Sequence, residues 1–289
     1  MRFQIPKIHR CLFVLAGLLF CVPPAMAFDD SQPAKDGKKG KAEKEKPAKK
    51  PPVSIFKDKA LEAAVRAEVF AKRDNDQPIV KADVARISQI NGRNKKIRDL
   101  SGLEHCEQVM QIDLTGNEIT DLGPLKNLKR LQSLSLANNK ITDLKPLADL
   151  VAIQLLDISA NQVSDLEPIA KLTRMRTLYA SDNQLTSLDP LRGLTKIWSL
   201  SLDGNGLTDL GPIAKLKWLT TLDVSRNQLT DLTPLQNLDD LDLLMLEKNK
   251  FQDFTPLIEM CQKDASQGRR FAPYLDVYLD GNPIDEKSL

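Results

Sequence analysis

The sequence predicts an α/β solenoid, with a curved parallel sheet on the concave side and short helical turns on the convex side. Three observations lead there. A 22-residue unit recurs from Ile97 to Lys250. Within that span 36 of 154 residues are leucine while aromatics make up 5% of the whole chain, a bias expected of one leucine-lined unit used repeatedly rather than of an ordinary mixed core. Aliphatic residues fall at repeat positions 1, 4, 7, 10, 13, 16 and 18. The last two alternate with polar neighbours, as in a strand with one buried face.

The chain opens with a segment that reads as a secretory signal, residues 1–27. Arg2, Lys7 and Arg10 form a basic start, Cys11–Val22 is a twelve-residue apolar run, and Ala25-Met26-Ala27 offers small residues for cleavage. The alternative, an uncleaved anchor, is disfavoured because a membrane-spanning helix needs ~20 apolar residues. A lipidation signal is disfavoured by Leu19-Phe20 before Cys21. The expected product is an exported protein beginning near Phe28. Residues 28–53 follow as a disordered Lys/Pro-rich linker: positions 29–53 hold eight lysines, four prolines and no aromatic residue. A solvated spacer is the simpler expectation for it, and weak contact with an anionic envelope surface is the other.

Without the leader, 38 basic residues face 39 acidic ones, a net charge of −1 that does not suggest nucleic-acid binding. Only His105 remains of two histidines, so a multi-histidine metal site is excluded. Phosphate-binding, zinc-protease and serine-hydrolase motifs are missing. Asp74-Asn75-Asp76 starts like a calcium loop, but Ile79 and Ala85 stand where glycine and glutamate are required. The chain is therefore expected to be no enzyme and to hold no metal or cofactor. Cys106 and Cys261 lie about seven rungs apart, roughly 33 Å at the spacing of β-strands, too far for an intrachain disulfide.

Seven units occupy 97–250, and 251–289 hold a stretched final repeat with the C-terminal cap. Proline recurs at position 6 from Pro124 to Pro256, and fits the first residue of a short helical turn. Aspartate at position 3 (Asp99, Asp121, Asp143, Asp165, Asp209, Asp231, Asp253) suits bonds to backbone N–H groups entering that turn. Asparagine at position 21 follows a strand that must bend sharply, where its amide can both donate and accept. Asn117, Asn139, Asn161, Asn183, Asn205, Asn227, Asn249 and Asn282 are thus expected to form an internal ladder. Seven aliphatics per unit do not offset the entropy of ordering 22 backbones, so the units must stack.

The pattern I-T-D-L-x-P-L-x-x-L-x-x-L-x-x-L-x-L-x-x-N-x resembles the bacterial 22-residue leucine-rich repeat of internalin-like proteins. The resemblance covers residues 54–283. It implies that residues 54–96 form a helical N-cap, with KALEAAVRAEVF as its first helix and VKADVAR as a second. The fold class expected is therefore a leucine-rich-repeat solenoid with a helical N-terminal cap.

Strand positions 15, 17 and 19 are expected to point out along the concave face. Their 24 residues include no lysine or arginine, whereas basic residues collect on convex positions such as Lys126, Lys129, Lys171 and Lys215. Candidate ligand-binding residues on this acidic, small-residue face are Asp157, Tyr179, Trp198, Asp203, Asp223, Leu243, Met245 and Tyr278. Its apolar members could be binding anchors or simply a cover for the sheet. The function expected is an exported, non-catalytic, monomeric protein that binds a protein, peptide or glycan partner, with no nucleic acid. The alternative is a passive structural scaffold of the envelope, tethered by the lysine-rich linker.

Overall fold

The structure, a computed structural model, describes residues 52–267 and 273–283. The expected leader and nearly all of the expected linker lie outside the described residues. Among the described residues no helix is long and apolar enough to cross a membrane.

Nine three-residue strands form one parallel sheet in sequence order: β1 (Gln89–Asn91), β2 (Gln111–Asp113), β3 (Ser133–Ser135), β4 (Leu155–Asp157), β5 (Thr177–Tyr179), β6 (Ser199–Ser201), β7 (Thr221–Asp223), β8 (Leu243–Met245) and β9 (Asp276–Tyr278). From β1 to β8 each residue pairs with the one 22 positions later, as in Leu134↔Leu156. From 97 to 250 each unit thus sets seven buried apolar side chains beside those of the next, with Cys106 filling one slot of the first and Met175 one of the fourth. In the unit 119–140 these are Ile119, Leu122, Leu125, Leu128, Leu131, Leu134 and Leu136, all 0–1% exposed.

The return path is a 3-10 turn at positions 5 to 7, for example Gly123–Leu125. Proline is its second residue, not its first. The reason lies in the aspartate at position 3, whose carboxylate accepts the N–H of position 5: Gly123 from Asp121 at 2.8 Å, Lys145 from Asp143 at 2.8 Å, Gly211 from Asp209 at 2.7 Å. That bond fixes position 5 as the start of the turn. Where serine replaces the aspartate, Ser187 Oγ takes the same role for the Asp189 N–H at 3.1 Å.

Each position-21 asparagine lies inside the coil. Asn139 Nδ2 donates to the carbonyls of Leu136 at 2.9 Å and Leu114 at 3.0 Å, one in its own rung and one in the rung before. Its Oδ1 accepts the Ile119 N–H at 3.0 Å, tying the end of the unit to its beginning. Asn161, Asn183, Asn205, Asn227 and Asn249 repeat the pattern, and Asn117 and Asn282 do so at the two ends. The backbone groups these amides hold would otherwise be buried without partners.

The N-terminal region contains α1 (Lys59–Glu68) and α2 (Lys81–Val84), and α1 buries Leu61, Ala64 and Val65 against the first rungs. It is not wholly helical, because β1 belongs to it. Ile90 in β1 is 2% exposed and pairs with Ile112, so this strand supplies the rung that covers the edge of β2. Gly102 (φ 107°) is required where the cap meets the repeats, since a side chain there would strike the Phe56 ring and the Ile55 carbonyl. In the calcium-like stretch, Arg66 donates to the carbonyls of Lys72, Asn75 and Gln77, placing a cation's charge where a metal would need oxygen ligands. At the other end α3 (Thr255–Gln267) replaces the 3-10 turn, and Phe251 and Phe254 meet edge to face at 6.3 Å. Cys106 is fully buried and its thiol is pushed up to about 12 by that burial, while Cys261 is partly buried; both are unpaired.

Candidate functional site

The concave face follows from strand alternation. Position 16 points into the core, so positions 15 and 17 turn outward, and position 19 does so again after the buried position 18. Register then sets neighbours across the rungs. Leu155 lies beside Thr177, and Tyr179 stands between Asp157 and Ser201. Met245 lies between Asp223 and Tyr278, with Leu243 beside Asp276. The apolar candidates therefore form two groups, one around Tyr179 and one around Leu243, Met245 and Tyr278. Ser201, Asp203 and Asp223 separate them.

Trp198 sits on the margin of this face, at position 14 of its unit. Its indole N–H donates to Thr177 Oγ1 at 2.9 Å, and half of the residue remains exposed. It therefore adjoins the Tyr179 group from the side and does not share the columns at positions 15, 17 and 19.

The face is less uniformly acidic than the 24 positions indicate. Two arginines reach onto it from outside them. Arg93, on the rung of β1, donates to Asp113 at 3.0 Å. Arg226, at position 20, bridges three rungs: its guanidinium holds both oxygens of Asp203 and lies 2.8 Å from Asp182. The sequence signal missed here was the extra rung of β1, which brings Arg93 into the register. The reach of Arg226 depends on its backbone turning left-handed (φ 53°), which residue type did not disclose.

Asp157 and Asp223 remain the distinctive carboxylates. Burial raises the pKa of each above its ordinary value of 3.8, and the nearest residues only partly oppose that. The N–H of Ser159 donates to Asp157 at 3.0 Å and that of Ser225 to Asp223 at 3.0 Å; both bonds lower the values. Asp113 pushes Asp157 further up, and Asp203 does the same to Asp223. The result is a polar, partly desolvated surface able to accept hydrogen bonds beside aromatic and aliphatic contacts. Among the described residues no three His, Cys, Asp or Glu side chains come close enough to hold a metal ion.

A curved parallel sheet backed by 3-10 turns and closed by an asparagine ladder defines the class, a leucine-rich-repeat solenoid. The family model for leucine-rich repeats (2 copies) matches residues 111–149, 129–171, 151–193 and 199–237. Internalin C2 of Listeria monocytogenes is 31% identical, with 81% of this chain and 100% of that one covered and a TM-score of 0.71. The chain belongs to the internalin-like leucine-rich-repeat proteins. A Leptospira interrogans leucine-rich-repeat protein shares the fold at 19% identity, covering 70% of this chain and 68% of that one, with a TM-score of 0.53. So does a plant peptide hormone receptor, solved in complex with RGF2, at 20% identity and TM-score 0.56, covering 71% of this chain and 34% of the receptor. No curated protein sequence matches.

Proposed function

We propose that this is an exported, non-catalytic binding protein that presents its concave face to a peptide or protein partner. The observation that carries the reading is the pairing of Tyr179 and Met245, each half-buried on the sheet, with Asp157 and Asp223 in the adjacent rungs. Aromatic and aliphatic anchors ringed by polar groups are the composition of an interface core. Carboxylates there suit a partner with basic or neutral polar groups. A glycan is the other ligand class such a face could take.

Selection of displayed peptides on the immobilised chain provides a test. Peptides enriched on the wild type should lose affinity for Tyr179→Ala and Met245→Ala by ~2 kcal/mol each, mainly through faster dissociation. The convex variant Lys215→Ala should bind like wild type. Losses confined to the convex variant would place the site on the opposite side of the solenoid. Enrichment of nothing above background would favour a passive scaffold.

A further inference from the structure

A lateral edge runs between the convex turns and the strands, built from repeat positions 11, 12 and 14. In the fourth to sixth units (163–228) it carries Arg174, Arg176, Lys196, Trp198, Lys217 and Trp218, all exposed. The intervening Met175, Ile197 and Leu219 are fully buried, so the residues on either side of them face outward together. Position 14 belongs to the hydrogen-bonded ladder: the Trp198 N–H donates to the Arg176 carbonyl at 2.9 Å, and Thr220 to Trp198 at 2.8 Å. Arg176 and Trp198 therefore stand on neighbouring rungs, and Lys196 and Trp218 are related in the same way at position 12.

Two features distinguish this strip from ordinary solvated surface. Trp198 and Trp218 are 50% and 69% exposed, although indoles usually bury most of their area. The Trp198 ring is also fixed, because its N–H is held by Thr177 and only its carbon faces are left to a ligand. The second feature is charge. Positions 8 to 14 of the three units hold seven basic residues and no acidic one. Arg174, Arg176 and Lys196 enter no ion pair among the described residues. Carboxylates return on both flanks, at Asp149, paired with Lys129, and at Asp239, Asp240 and Asp242.

We propose that this edge is a second binding surface, independent of the concave face, for an acidic polysaccharide. Exposed indoles take the C–H faces of pyranose rings, and guanidinium and ammonium groups take the carboxylates between them. The width of the strip argues against duplex nucleic acid. Three rungs at ~4.8 Å give a patch of roughly 10–15 Å, bounded by acids. A duplex with one charge per ~1.7 Å would run onto those acids, whereas a polysaccharide with one carboxylate per ring has the more widely spaced charges that match cations alternating with indoles.

Both tryptophans of the chain lie in this edge, so indole fluorescence of the full-length protein reports on it, with Trp218 the one remote from the concave face. Titration with polygalacturonate should change the emission saturably and weaken as salt is raised, and neutral dextran should give no response. Combining Arg176→Glu with Lys196→Glu should raise the apparent Kd by at least about tenfold, because two of a few ionic contacts are reversed. The glutamine pair serves if the reversal disturbs folding. Tyr179→Ala should leave the titration unchanged, which separates this surface from the concave one. Silence towards polygalacturonate, an equal response to dextran, or full affinity in the charge variants would overturn the proposal. Tighter binding of oligothymidylate than of polygalacturonate would overturn it in favour of nucleic acid.

Discussion

At the scale of single residues, Asp157 shows a tension between stability and surface chemistry. Burial raises its pKa, so the folded chain holds a proton there that the unfolded chain has released at the same pH. Its contribution to stability therefore falls as pH rises from 3.8 through the higher folded value, and at neutral pH the charged group is a cost to the fold. Asparagine keeps an oxygen for the Ser159 N–H and removes the charge. Asp157→Asn should then melt at a higher temperature than wild type at pH 7, with the gap closing as pH falls below 3.8. A variant less stable at pH 7 would show that the carboxylate is worth more than its desolvation. A charge kept at such a cost is expected where it meets a ligand. In the sequence Asp157 was legible as a concave residue because period-2 alternation placed it there. Its raised pKa was not, because that combines burial in the folded sheet with the charge of Asp113 two rungs away.

At the scale of elements, α1 hangs on one carboxylate. Asp58 Oδ1 accepts the N–H groups of Ala60 and Leu61 at 2.8 and 3.1 Å, capping the helix. Its Oδ2 accepts those of Arg98 and Asp99 at 2.8 and 3.3 Å, in the first repeat. Burial pushes this carboxyl up, yet the four backbone bonds outweigh it and hold the pKa below 3.8. The stabilisation it gives is thus complete above 3.8 and lost as pH falls through the lower folded value. Asp58→Ala should cost about 1–3 kcal/mol in urea unfolding, and hydrogen exchange should show α1 opening ahead of the central rungs. Exchange in α1 as slow as in wild type would mean that Leu61 and Val65 alone hold it. The helix itself was legible from family resemblance, but β1 behind it was not. A three-residue strand followed by Lys95, where later units carry asparagine, lacks the marks of a rung. The left-handed residue at position 20 was hidden for a similar reason. Gly204 and Asn138 suit it, but Ala160, Arg226 and Lys248 adopt it only because the ladder on either side compels them (φ 52–54°).

At the scale of the whole molecule, the repeat makes a strict claim about register. Each rung donates its asparagine amide to the rung before it, and each pairs its strand at an offset of 22, so the interactions of any unit are almost wholly with its neighbours. Removing residues 185–206 would join Gln184 to Leu207 and bring Asn183 beside Asn227 with every slot preserved. That variant should fold cooperatively, with a urea m-value lower by roughly a tenth because one of the rungs no longer contributes surface. Removing 186–206 instead deletes 21 residues and leaves the sequence one step out of phase. The break falls inside a coil, so the aliphatics that follow Leu185 would meet solvent-facing slots, and Asn205's place in the ladder would be filled by no amide. Cooperative unfolding should be lost or split into two transitions, one for the rungs on each side of the joint. Circular dichroism melts of the two deletions distinguish the cases. Equal behaviour would mean that the solenoid is held by apolar content alone, and that the asparagine ladder only decorates a core able to absorb a shift of one residue.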